Sequence, residues 1–214
     1  MTTELPKSAL TRQRILDAAA KAFRRKGFVA TRLTEIAEIA GLRAGSIYYH
    51  FASKEQILEE VLDIGIRRIS ESVQAAVEAL PAGTSYRRRV EVAMATHLDA
   101  LLRHGDYTSA NIRIFGQIPD EVRERHLEVR HVYEAFWRRL MRDAQAAGEI
   151  RAGVDLRLAR LSILGALNWS IEWYRSEGAG IEEIAARFAD LAFDGIGASA
   201  ARGQEKRGGD AGKG

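Results

Sequence analysis

The amino-acid sequence predicts an all-α fold of about nine helices, an N-terminal three-helix head joined to a larger C-terminal helical domain. Three observations predict it. Apolar residues recur at i, i+3, i+4 and i+7, while no stretch alternates with the period of a strand. Glycines and prolines (Gly27, Gly41, Pro81, Gly83, Gly105, Pro119, Gly148) punctuate the periodic runs where helices must stop. Charge also divides the chain. Residues 1–54 carry ten Lys/Arg against four Asp/Glu, and residues 55–214 carry twenty-two against twenty-five. A basic head on a mildly acidic body fits a nucleic-acid reader joined to a second module.

Residues 1–8 read as a flexible arm. The first helix runs from about Ala9 to Lys26, with Ile15, Ala19, Ala22 and Phe23 as its inner stripe. Gly27 stops it after three cations, which suit the negative end of the helix dipole. In the second helix Leu33, Ile36, Ala37 and Ala40 share a face, and Gly41 ends it. A short third helix follows, with Ala44, Ile47, Tyr48 and Phe51 inward and Ser46, Tyr49 and His50 outward, and with Arg43 at its start. Helix, glycine turn, helix over about 32–51 is the helix-turn-helix arrangement, whose second helix lies in the DNA major groove. An ordinary helical hairpin has the same periodicity.

Specific residues separate the two readings. From Thr11 to Leu62 the chain resembles the DNA-binding domain of TetR-family transcriptional regulators. The resemblance rests on Gly27-Phe28, Ile36-Ala37, Ala40-Gly41, Gly45, Tyr48, His50-Phe51 and Ser53-Lys54-Glu55. It implies a DNA-binding domain over residues 9–53, contacting a double-stranded operator. The expected contacts are Thr11, Arg12, Thr31, Arg32, Arg43, Ala44, Gly45, Ser46, Tyr48, Tyr49, His50 and Lys54. Arg32 and Arg43 stand where the family usually has Ser or Thr caps. Arginine cannot accept the backbone N–H bonds of a cap, so Thr31 is expected to cap the second helix.

Ser53 with Gln56 offers a capping box for a fourth helix reaching Leu80, and Lys54 in its first turn suits a phosphate. The remaining helices are expected at about Ser85–His104, Tyr107–Ile118, Asp120–Ala147, Asp155–Ser176 and Ile181–Ile196. Residues 54–198 form the ligand-binding and dimerisation domain, and residues 199–214, glycine-rich and charged, are expected to be disordered. The eighth helix is apolar almost all round, and the ninth carries a stripe of Ile181, Ile184, Phe188 and Leu191. An all-round apolar helix must be covered on every side. Leu161, Trp173, Ile184, Phe188 and Leu191 are therefore expected in a homodimer interface, the alternative being a central helix of a monomeric bundle.

His97, Arg113, Phe115, Tyr133, Trp137, Asn168 and Trp169 place polar and aromatic groups inside apolar patterns, as small-molecule cavities do. TetR-like regulators bind inducers between helices five to eight, which makes these positions the expected ligand contacts. The segment from Asn168 to Gly178 resembles members that sense acyl-CoA thioesters, with Arg113 a candidate partner for an anion. An aromatic acid or cationic drug is a further possibility.

Enzyme readings find no support. The sequence has no phosphate-binding GxxxxGK[ST] loop, no GxSxG elbow and no HExxH, and neither cofactor nor metal is expected. It has no cysteine, so neither disulfides nor thiolate sites contribute. No apolar run suits a membrane span or a signal peptide, and the expected compartment is the cytoplasm. The expected function is a homodimeric repressor on a palindromic operator, released by a small apolar or acyl-CoA-type inducer. The alternatives are a constitutive DNA-binding regulator and a helical small-molecule binder that no longer reads DNA.

Overall fold

The computed structural model describes residues 6–103 and 105–195. They form α1 (Lys7–Lys26), α2 (Leu33–Ala40), α3 (Ala44–Ile47), α4 (Lys54–Glu78), α5 (Tyr86–Leu102), α6 (Asp106–Arg113), a 3-10 turn (Phe115–Gln117), α7 (Asp120–Ala146), α8 (Leu156–Trp173) and α9 (Ile181–Asp194). The expected all-α architecture is present. Most of the N-terminal arm, His104, Ile196 and the expected disordered tail lie outside the described residues.

Two apolar cores share one helix. The first joins Ile15, Leu16 and Phe23 of α1, Ile36 of α2, Ile47 of α3 and Phe51 to Ile57, Leu58, Val61 and Leu62 of α4, and extends to Tyr107, Ala110 and Val122 of α6 and α7. The second joins Ile69, Val73 and Val77 of α4 to Met94 and Leu98 of α5, Trp137 and Leu140 of α7, Leu167 of α8 and Ile181 and Ala185 of α9. At 25 residues, α4 spans about 38 Å. Its capping box forms with one change. Ser53 Oγ accepts the Gln56 N–H, but Gln56 Oε1 accepts from Ala52, one residue before the cap.

Several boundaries differ from the sequence reading. Pro6 precedes the first helical residue, so α1 starts at Lys7, a position where proline's missing N–H is harmless. Gly105 does not close α5 with a left-handed turn. Its φ is −119°, and it is required for room, because a Cβ there would lie 2.5 Å from the Ala100 carbonyl oxygen. The expected sixth helix breaks at Ile114 into a 3-10 turn, and Pro119 leads into α7. Helix α8 stops at Trp173, where the backbone turns extended at Tyr174.

Head and body are fastened at α6. Tyr107 donates to Asp17 of α1 at 2.6 Å, and Arg24 pairs with Asp106 at 2.7 Å. Buried His126 of α7 lies between Asp63 of α4 (3.0 Å) and Asn111 Oδ1 of α6 (3.1 Å). Asn111 turns its amide nitrogen to the Leu62 carbonyl at 3.0 Å, so its oxygen is left facing the histidine. Gly65 lets α4 and α6 touch, since a Cβ there would come within 2.4 Å of Asn111 Nδ2 and 2.6 Å of the Tyr107 carbonyl oxygen.

Candidate functional site

The outer surface of the head is built by a short helix that changes its winding. Helix α3 is regular only over Ala44–Ile47, after which His50 N–H bonds to the Ile47 carbonyl in a three-residue turn. Tyr48 points outward, contrary to the inner face expected for it, and Ala44 in the regular turn is exposed as well. Ile47 and Phe51 alone of that expected set are buried. Tyr48 is 63% exposed and Tyr49 89%, and Arg32, Arg43 and Gly45 are exposed beside them, with Ser46 and His50 half-buried. A Cβ on Gly45 would meet nothing within 4 Å, so the free protein's packing does not require glycine there.

Four other expected DNA contacts are engaged within the head. Thr31 is buried, and its hydroxyl donates to the Gly27 carbonyl at 2.7 Å. It does not cap α2. Arg32 is the N-cap residue and makes no side-chain cap bond. Lys54 turns away from the surface, donating to the Phe28 and Thr31 carbonyls at 3.0 Å each and lying 4.2 Å from the Phe28 ring centroid. It ties the α1–α2 connection to α4. Arg12 pairs with Glu60 and sits over Phe51, and Thr11 donates to the Lys7 carbonyl. These residues shape the head, and a short polar side chain or lysine at a helix start carries no sequence signal of such an inward role.

Below the head, α4–α8 enclose a cavity of about 340 Å³, within the range of small-molecule sites. Gly65, Ile66 and Ile69 of α4 form one wall, and Leu161 and Leu164 of α8 another. Of the expected ligand contacts, His97, Phe115, Tyr133 and Asn168 line it. Three do not. Trp137 is fully buried in the second core behind Tyr133, Trp169 is 67% exposed on the far side of α8, and Arg113 pairs with Glu172 at 3.4 Å. The cavity's arginines are Arg130 and Arg160. Arg130 was legible in principle, because Arg130, Tyr133, Glu134 and Trp137 fall at i, i+3, i+4 and i+7 of α7.

The cavity's buried polar wall has a defined direction. Tyr133 OH is 2.9 Å from His97 Nδ1, and His97 Nε2 is 3.0 Å from Asn168 Oδ1. With the amide oxygen facing it, Nε2 carries the proton and Nδ1 accepts from the tyrosine. Desolvation lowers the His97 pKa to about 4, against a smaller opposing effect of the Asn168 bond, so the ring is neutral at pH 7. Burial raises the Tyr133 pKa and keeps its proton in place.

The expected dimer face divides in the same way. Leu161, Trp173 and Leu191 are exposed, Phe188 is half-buried against Trp173, and Ile184 is buried in the chain's own second core. Leu158 and Trp169 extend the exposed apolar stripe of α8.

A family model described as "Tetracyclin repressor-like, C-terminal domain" matches residues 83–196, more than half of the chain. A second, "Bacterial regulatory proteins, tetR family", matches residues 15–61. The chain belongs to the TetR family. It is accordingly a DNA-binding transcriptional regulator and not an enzyme. The "HTH-type transcriptional repressor KstR2" of Rhodococcus jostii is 25% identical over 194 residues, 86% of this chain and 90% of that protein. The crystal structure of superantigen PfiT is 30% identical, covers 88% of this chain and 97% of its own, and superposes with a TM-score of 0.71. AibR, solved with isovaleryl coenzyme A and operator DNA, has a TM-score of 0.76 over 86% of this chain and 98% of its own; at 23% identity it shares the TetR fold alone. Among the described residues no helix is long and apolar enough to cross a membrane.

Proposed function

We propose that this TetR-family regulator is a ligand-responsive cytoplasmic repressor. It binds a palindromic operator as a homodimer and is released when a small apolar or acyl-CoA-type ligand fills the cavity. The DNA-reading unit is residues 9–53 and the sensing and dimerising unit 54–198. Arg32, Arg43, Ala44, Gly45, Ser46, Tyr48, Tyr49 and His50 face the DNA, and the stripe from Leu158 to Trp173 with Leu191 faces the second subunit.

One observation carries this reading. Helix α4 supplies Ile57, Leu58, Val61 and Leu62 to the head's core and, in the next two turns, Gly65, Ile66 and Ile69 to the cavity wall. A ligand against those residues pushes on the helix that holds the head. Asn111 also lines the cavity and reaches Leu62 and His126, so α6 and α7 move with it. A ligand shifts this equilibrium only if it binds the two arrangements unequally, and a coupling of about 1–3 kcal/mol changes operator affinity roughly 5–150-fold.

The test is fluorescence anisotropy on DNA from upstream of the protein's own gene, with a scrambled duplex and a salt series. Tight binding to the native duplex alone is expected, because phosphate contacts serve both sequences equally. Arg43→Ala is expected to lower the salt slope by about one, and acyl-CoAs or aromatic acids to release the DNA. Equal binding of both duplexes, or operator binding that no ligand alters, would defeat the reading.

A further inference from the structure

The cavity's polar groups are distributed in a way that selects a ligand. Arg130 and Arg160 are the cations in its wall and Glu134 the carboxylate, while His97 is neutral. Glu134 lies 3.9 Å from Arg160, whose side chain is only 12% exposed. Arg130 makes no ion pair or hydrogen bond among the described residues. Its guanidinium instead stacks 4.8 Å from the Phe115 ring centroid, and burial holds its pKa below the ordinary arginine value. Glu134 attracts Arg130 as well, so the wall's single carboxylate is shared between two arginines and leaves one positive charge in excess, with Arg130 half-desolvated. Such a group gains most from an anion that enters with it.

The second feature is the end of the Tyr133–His97–Asn168 relay. Each member donates to the next, and the last, Asn168, has spent its oxygen on His97. Asn168 lines the cavity, and its amide nitrogen has no hydrogen-bond partner among the described residues. The relay thus presents a neutral donor, which matches a carbonyl or hydroxyl oxygen and not a cation. Ile66, Ile69, Ile112, Leu161 and Leu164 supply the apolar part of the wall. The volume of about 340 Å³ lies in the range of small-molecule sites.

We propose that the cavity takes a small organic acid, its carboxylate read by Arg130 and a second, uncharged oxygen read by Asn168. This assignment rests on the ligand-responsive reading above and narrows it from apolar ligands at large to small oxo- or hydroxy-acids. A coenzyme A thioester of similar acyl length is matched less well in one respect, because the thioester replaces the carboxylate that Arg130 would read.

The experiment is isothermal titration calorimetry on the full chain. The probes are octanoate, its 4-, 5-, 6- and 7-oxo isomers, the amide of the best isomer, and octanoyl-CoA. The best oxo-acid is expected to bind about 10- to 100-fold more tightly than its amide, as a hydrogen-bonded charge does, and a few-fold more tightly than octanoate. Arg130→Met, which keeps the stem over Phe115, is expected to abolish the acid-over-amide preference while leaving the oxo preference. Asn168→Leu is expected to do the reverse, and Arg130→Lys to restore part of the acid preference. Merely structural roles would lower all affinities together. The proposal is overturned by an amide that binds as well as its acid, by either variant weakening every probe alike, by octanoyl-CoA binding where the acids do not, or by no probe binding the folded protein. Operator release is read separately by anisotropy. An acid that binds with this pattern yet leaves the operator bound would defeat the ligand-responsive reading and leave the ligand assignment standing.

Discussion

The recognition turn and α8 are both under-covered in the single chain, but in opposite chemistries. At the turn, what remains exposed is Arg43, Gly45, Tyr48 and Tyr49, polar or flat groups around an open backbone. On α8 it is Leu158, Leu161, Trp169 and Trp173, apolar side chains in one stripe. Water solvates the first surface at little cost, and the second only at the cost of exposed apolar area. The first is therefore suited to a partner that comes and goes, such as DNA, and the second to one that stays, such as another copy of the chain. The inner side of α8 differs again. Leu167 and Ser170 are buried, and Asn168 is held by His97.

The strongest way to break this contrast is to place a charge on the α8 stripe. Trp169 lines no part of the cavity, so Trp169→Glu leaves the free subunit's core intact. In a dimer it buries an unpaired carboxylate from each subunit. About 3–5 kcal/mol of dimer stability should be lost, as for other unpaired buried charges. If the parent dimerises as proposed, sedimentation velocity should show the variant as monomer at concentrations where the parent is dimeric, with operator affinity falling in parallel. A dimer that persists would move the interface elsewhere.

A smaller effect probes the inner side of α8. His97 has a folded pKa of about 4 against an ordinary value of 6.5. Between those values the unfolded chain takes up a proton that the native ring refuses, so stability conferred by the neutral ring is present above pH 6.5 and lost as pH falls toward 4. The loss should be at most about 3 kcal/mol. Urea unfolding of the parent and of His97→Gln, compared from pH 7 to pH 4, isolates it, because the carboxylates and remaining histidines titrate equally in both. A pH-independent difference between the two proteins would mean that α8 is not docked through a neutral histidine.

The sequence was most legible where local chemistry decides structure. Gly27 and Gly41 end α1 and α2 with positive φ, and Ser53 caps α4, as their residue types require. The cavity was legible in part. His97, Tyr133 and Asn168 stood out as polar residues in apolar patterns, and the fold brings them together from α5, α7 and α8. Arg130 did not stand out, since an arginine on a charged helix looks solvated until its neighbours are known. Lys54 and Thr31 were misplaced for the same reason, because an inward hydrogen bond to a backbone carbonyl depends on tertiary position alone. Tyr48 lies at the margin of the narrow face set by Ile47 and Phe51, where periodicity alone does not decide which way a side chain points.

The finest test lies at the recognition turn and uses one methyl group. Gly45 sits in α3 without a positive φ, and a Cβ would meet nothing within 4 Å. Gly45→Ala should therefore leave the free protein unchanged or stabilise it by up to about 1 kcal/mol through helix propensity. For a chain of this size that is a rise of about 2–4 °C in melting temperature. If the proposed recognition turn brings this backbone close to DNA, operator binding should respond in the opposite direction, since the methyl group would occupy that space. A variant that melts higher and binds its operator more weakly would show that the glycine serves the partner and not the fold. Unchanged operator affinity would place the close approach at another residue of the turn, with Tyr49 the next to truncate.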